Sequence, residues 1–170
     1  MRLVKAIDLL LKDHRTIKDL FSKFQKSNND DEKMEIAAMV FRELKLHSSL
    51  EEEIFYPLIE GRLEVGDLVA EAIDEHQTMA ALIEELETMN IDENDFTGKF
   101  IELTESVKHH IDEEETELIP LAEERLDRED IEQLNSEMAE RRQTLAKEVI
   151  KESSDRRVRA KIRRRSPLAH

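Results

Sequence analysis

The sequence has no cysteine and no tryptophan, one tyrosine, and only three glycines and three prolines in 170 residues. Without cysteine there is no disulfide framework, no thiolate metal site and no cysteine nucleophile. So little glycine and proline leaves too few turns for many short strands. No run approaches the roughly 18 apolar residues of a membrane span, so no membrane partner is expected. The opening MRLVKAIDLLLKDH is broken by Asp8 and followed by no small-residue cleavage site. It reads as a helix start rather than a signal peptide, and a cytoplasmic location is the expectation.

What is abundant is charge. Charged residues make up 39% of the chain, well above the usual quarter, and 41 acids against 26 bases leave a net −15. An acidic body repels nucleic acid and anionic membranes and favours cations. The one exception is RRVRAKIRRR (156–165), seven cations and no anion. Nucleic acid is disfavoured as a partner except through this basic tail, which could equally fold back on the acidic body or simply solubilise the end.

Apolar residues recur at steps of three and four, the period of a helix face. Ile7, Leu10, Leu11, His14, Ile17, Phe21 and Phe24 mark a helix over about 4–26, and Ile36, Val40, Leu44, His47, Glu51 and Ile54 one over 32–56. A third follows over 67–89 and a fourth over 96–126. SNNDD (27–31) and NIDEND (90–95) supply the breaks, and Pro57 ends or kinks the second helix. Short connections make such helices antiparallel neighbours. The expected fold is all-α: an antiparallel four-helix up-down bundle over 1–126, an additional amphipathic helix over 127–152, and a basic C-terminal tail over 153–170. The fifth helix's thin stripe would serve equally against the bundle or against its own copy in a homodimer.

The two halves repeat. DHRTI (13–17) aligns with EHQTM (75–79), and HSSLEEEIFYPL (47–58) with HIDEEETELIPL (110–121). The alignment pairs His14 with His76, His47 with His110, Glu51 with Glu114 and Pro57 with Pro120. Each of the His and Glu residues lies on its helix's apolar stripe, where burial without partners would cost several kcal/mol per charged group. Cations at the bundle centre remove that cost. Nitrogen and carboxylate donors without sulfur suit iron, manganese or zinc and disfavour calcium. If both Glu bridge, each of two metals gains two nitrogens and two oxygens. A bridging oxide or hydroxide makes five ligands and leaves one position open for a small molecule.

The pattern His14, His47-x3-Glu51, His76, His110-x3-Glu114 resembles the hemerythrin-like (HHE cation-binding) domain family over about residues 1–125. The resemblance implies a centre of two iron ions (Fe2+/Fe3+), with zinc or manganese as substitutes, binding or reacting with O2, peroxide or nitric oxide. With four His and two Glu, the site looks more like sensing, peroxide-handling or iron-handling members than like an oxygen carrier. The alternative is a non-enzymatic module that stores or senses iron and signals through the C-terminal helix and tail. No dedicated acid–base residue stands out, so any enzyme activity would be the metal's own redox chemistry.

The ferritin-like bundle is excluded, because no His here has a Glu three residues before it. His109 faces a solvated side of its helix, while His110 keeps the repeat register. Glu52, Glu53, Glu113 and Glu115 read as solvated faces from which one could orient a ligand. Tyr56, nine residues beyond His47, falls roughly opposite it on an ideal helix, where a supporting hydrogen bond or a plain surface role is expected rather than ligation. The phenylalanines read as core, and His170 has no evident role.

Overall fold

A computed structural model of the protein describes residues 5–92 and 95–165, with the backbone alone at 153 and 156–165. The periodic stretches are all helical. Helix α1 spans Lys5–Lys26. Helix α2 begins as Asp30–Leu50, passes through a π-helical turn at Glu51–Phe55 and continues over Tyr56–Arg62. Helix α3 spans Gly66–Thr88. Helix α4 repeats the form of α2: Phe96–Glu113, a π-helical turn at Glu114–Leu118, then Ile119–Arg125. Helix α5 runs over Arg128–Arg165. No strand occurs among the described residues. The SNNDD break works as a cap, with the Asn29 side chain accepting the Glu32 N–H at 2.9 Å.

Two boundaries differ from expectation. Helix α2 does not stop at Pro57 but reaches Arg62, with Gly61 inside it. Proline lacks an N–H, and its ring clashes with the carbonyl four residues back. The preceding π-helical turn absorbs this: the Tyr56 N–H bonds to the Glu51 carbonyl five residues back, and Pro57 falls in the first turn of the next stretch. Pro120 sits the same way after the second π-helical turn. Helix α5 outruns its expected end near 152, because 153–165 holds no glycine or proline and is rich in arginine, a good helix former. His170 lies outside the described residues.

The bundle interior has two apolar clusters. One stacks Phe21, Phe24, Phe41, Phe96 and Phe100, with the Phe24 and Phe100 ring centroids 3.9 Å apart. The other joins Ile7, Leu10, Leu50, Phe55, Ile59 and Val69 to Ile131, Leu134, Met138 and Leu145 of α5. The stripe of α5 is therefore buried against its own bundle. Polar contacts fix it there: the Ala6 N–H donates to Asn135 Oδ1 at 2.7 Å, and Arg142 forks onto Asp13 at 2.5 and 2.8 Å. Buried His and Glu residues belong to neither cluster.

Candidate metal centre

The layer holding these His and Glu residues draws on all four bundle helices. The i, i+4 spacing puts His47 and Glu51 on one face of α2, and His110 and Glu114 on one face of α4. His14 comes from α1 and His76 from α3. All six are buried, the two Glu at 0 and 1% exposure. His14, His47, Glu51 and Glu114 cluster on one side, and Glu51, His76 and His110 on the other, so Glu51 belongs to both.

The shortest separations within each group are those of ligands around one ion. His14 and His47 Nε2 are 3.2 Å apart, and His76 and His110 Nε2 3.0 Å. Glu51 Oε1 lies 2.9 Å from His47 Nε2, while its Oε2 lies 3.2 Å from His76 Nε2. Glu114 Oε2 is 3.3 Å from His14 Nε2 and 3.7 Å from His110 Nε2. Bonds of about 2.1 Å at angles of 90–110° place neighbouring ligands about 3.0–3.4 Å apart.

The outer face of each imidazole meets a carboxylate. His14 Nδ1 bonds to Glu115 Oε1 at 2.9 Å, His76 Nδ1 to Glu52 Oε1 at 2.7 Å, and His110 Nδ1 to Glu75 Oε2 at 2.7 Å. His47 Nδ1 faces Asp13 Oδ2 at 3.6 Å, beyond hydrogen-bond range, because Arg142 holds that carboxylate. A carboxylate only accepts, so each bonded Nδ1 carries the proton, and the Nε2 lone pair points into the centre. These partners obey the internal repeat. Asp13 and Glu75 precede the aligned His14 and His76, and Glu52 and Glu115 follow the aligned Glu51 and Glu114. Reading Glu52 and Glu115 as mostly solvated understated them, and Asp13 and Glu75 were missed although the DH and EH pairs of the repeat signalled them. Glu53 instead pairs with Arg141, and Glu113 with His109.

Tyr56 corrects the ideal-helix expectation. The π-helical turn places residues five apart over one another, so His47, Glu51 and Tyr56 share a face at steps of four and five. The buried Tyr56 hydroxyl donates to Glu114 Oε1 at 2.6 Å and lies 3.3 Å from Glu51 Oε2. Burial and the two carboxylates raise its pKa and keep it a proton donor. The repeat places Ile119 at the equivalent position, so the hydroxyl is present on one half only.

Does this layer fit a metal? Glu51 Oε1 and Glu114 Oε2 are buried and accept no hydrogen bond. His76 and His110 both carry their outer proton on Nδ1, so their Nε2 lone pairs face each other at 3.0 Å and repel unless positive charge lies between them. Protons supply that charge in the metal-free protein. Burial disfavours the His47 imidazolium, but the Glu51, Asp13 and Glu114 carboxylates together outweigh it and raise the pKa to about 10. His110 rises to about 9 against the same burial, through Glu51 and Glu114. Burial likewise opposes ionisation of Glu51, yet the surrounding imidazoles hold its carboxyl well below the usual range. The layer is therefore built to hold cations.

Comparison with known proteins agrees with this geometry. Residues 5–122 match the hemerythrin HHE cation binding domain. The chain belongs to that family. An uncharacterised hemerythrin-like protein of Schizosaccharomyces pombe is 31% identical over 131 residues, covering 76% of this chain and 64% of that protein. A protein of Nostoc sp. named a DNA nickase is 28% identical over 130 residues, again 76% of this chain but 37% of the relative. The chain thus spans only part of the length of both relatives. A crystal structure of a hemerythrin HHE cation binding domain-containing protein from Mycobacterium kansasii superposes with a TM-score of 0.73 at 23% identity, covering 87% of this chain and 89% of that one. It shares the fold. As an HHE domain, the chain has a buried His/Glu cluster that could bind metal.

Proposed function

We propose that this HHE domain is a cytoplasmic non-haem di-iron protein that binds or reacts with O2, peroxide or nitric oxide at an open iron position. His14 and His47 would hold one ion and His76 and His110 the other, with Glu51 between them and Glu114 completing the set. The observation that supports it most is the pair of buried carboxylate oxygens, on Glu51 and Glu114, that no hydrogen bond satisfies. When bound, iron supplies reversible one-electron redox chemistry and an exchangeable position for a small ligand. The chain supplies the rest. Glu115, Glu52 and Glu75 fix three imidazole tautomers, the Tyr56 hydroxyl holds Glu114 Oε1, and the two apolar clusters flank the layer. Zinc or manganese would fit the same donors. Among the described residues no helix is long and apolar enough to cross a bilayer. The nickase activity named for the Nostoc relative is not carried over, since the match covers 37% of that protein.

The test is elemental analysis and spectroscopy of aerobically purified protein. About two irons per chain and a near-ultraviolet band that changes with azide or nitric oxide are expected. Two tightly held zincs and no spectral response to added ligand would defeat the redox reading.

One observation favours the second reading, an iron- or oxygen-sensing module. Arg142 of α5 holds Asp13, which faces His47, so the C-terminal helix is wired to one side of the centre. Removing α5 would not test this, because it would strip cover from the core around Leu134 and Met138. Arg142→Gln should alter the iron spectrum while leaving the fold helical by circular dichroism; an unchanged spectrum defeats the coupling.

A further inference from the structure

A second group of metal-binding side chains lies outside the buried layer. On the surface between α3 and α4, Glu75, His109 and Glu113 bring donor atoms within 4.8 Å of one another. His109 Nε2 lies 3.0 Å from Glu113 Oε1 and 3.6 Å from Glu75 Oε1. The shorter separation is that of neighbouring ligands on one first-row ion, and the longer is a few tenths of an ångström wider. His109 is 66% exposed, so the group is open to solvent.

Its position gives it a purpose. Glu75 uses its other oxygen to accept the His110 Nδ1–H, so one carboxylate touches both the surface group and a residue of the buried centre. Behind it runs a cleft of about 40 Å3, lined by Glu71, Glu75, Glu113 and Glu117 at its acidic edge and by His110 and Glu114 at depth. At roughly 10–15 Å3 of such space to admit one water, that volume admits about three or four, enough for a partly hydrated ion. Glu114, 1% exposed, lines the cleft, and its Oε2 accepts no hydrogen bond. An acidic mouth concentrates cations, a three-donor group holds one loosely with water completing its shell, and an unsatisfied buried carboxylate draws it inward.

We propose that Glu75, His109 and Glu113 form a surface acceptor for a divalent transition-metal ion, which then enters the buried centre along the α3–α4 cleft. The proposal rests on the reading of the buried layer as a metal site. Three protein ligands, one of them exposed, make the outer group weaker than the inner one, as a transit site requires.

The probe is the metal alone. Protein stripped with chelator is mixed anaerobically with Co2+ or Fe2+, and uptake is followed by absorbance in stopped flow and by final metal content. His109→Ala combined with Glu113→Gln should slow uptake about tenfold and leave the final content of tightly held metal unchanged. Glu124→Gln removes one unit of negative charge from an exposed position away from the cleft and controls for bulk attraction. Titration of the parent protein with Co2+ should show a weaker equivalent beyond the tight ones, lost in the double variant. Uptake by the double variant at the rate of the Glu124 control, or no weaker equivalent in the parent, would overturn the acceptor site while the buried centre stands. A parent protein that takes up no metal at all would overturn both.

Discussion

The Tyr56 hydroxyl offers a clean test of how the buried layer is held together, because Tyr56→Phe removes one oxygen and keeps the ring. Phenylalanine fills the same space beside Phe55 and His76, so little is lost in packing. What is lost is a 2.6 Å hydrogen bond from a phenol to a buried carboxylate. Hydrogen bonds to charged groups contribute about 1.5–3 kcal/mol, and here the orphaned Glu114 Oε1 belongs to a side chain only 1% exposed. About 2 kcal/mol is expected in the metal-free protein. For a domain of this size, about 2–4 °C per kcal/mol lowers Tm by roughly 4–8 °C. The loss should shrink once metal is added, since a cation beside Glu114 offsets the missing donor. The assay is thermal unfolding by circular dichroism, with and without metal. A metal-free variant that melts within 1 °C of the parent would refute the claim that Tyr56 supports Glu114 from the layer.

Three further outcomes follow from the same geometry. Glu51→Gln should empty the centre more completely than Glu114→Gln by elemental analysis, because both Glu51 oxygens face histidines while one Glu114 oxygen is taken by Tyr56; equal losses would contradict a spanning Glu51. Leu134→Ala, at a fully buried position of α5, should cost about 2–5 kcal/mol in urea unfolding while keeping one transition, and two separate transitions would mean α5 folds apart from the bundle. Gly61→Ala should stabilise by about 0.4–1 kcal/mol, since its added methyl meets nothing within 4 Å inside a helix; a loss of stability would contradict that helical assignment.

Periodicity made the four bundle helices legible, with boundaries within a few residues except at Pro57. Sequence pattern could not show how Pro57 and Pro120 are accommodated. A π-helical turn is an adjustment of backbone pairing with no side-chain period of its own, and the error it caused fell on Tyr56, one half-turn misplaced. The outer carboxylates were partly legible: the repeat pairs Asp13 with Glu75 and Glu52 with Glu115, yet nothing local separates a glutamate facing water from one reaching an imidazole across a helix interface.

By itself, the sequence determined the all-α class and the six polar residues aimed inward, because buried charge on an apolar stripe recurring in two halves demands a shared partner. Tertiary structure alone decided which side chains meet across the helix interfaces. It set Glu115 of α4 on His14 of α1, and Glu52 of α2 on His76 of α3. It also chose the bundle as the surface that covers α5, with Arg142 on Asp13. Such contacts depend on how helices rotate and slide against one another, and the 3.6-residue period of a single helix carries no record of that.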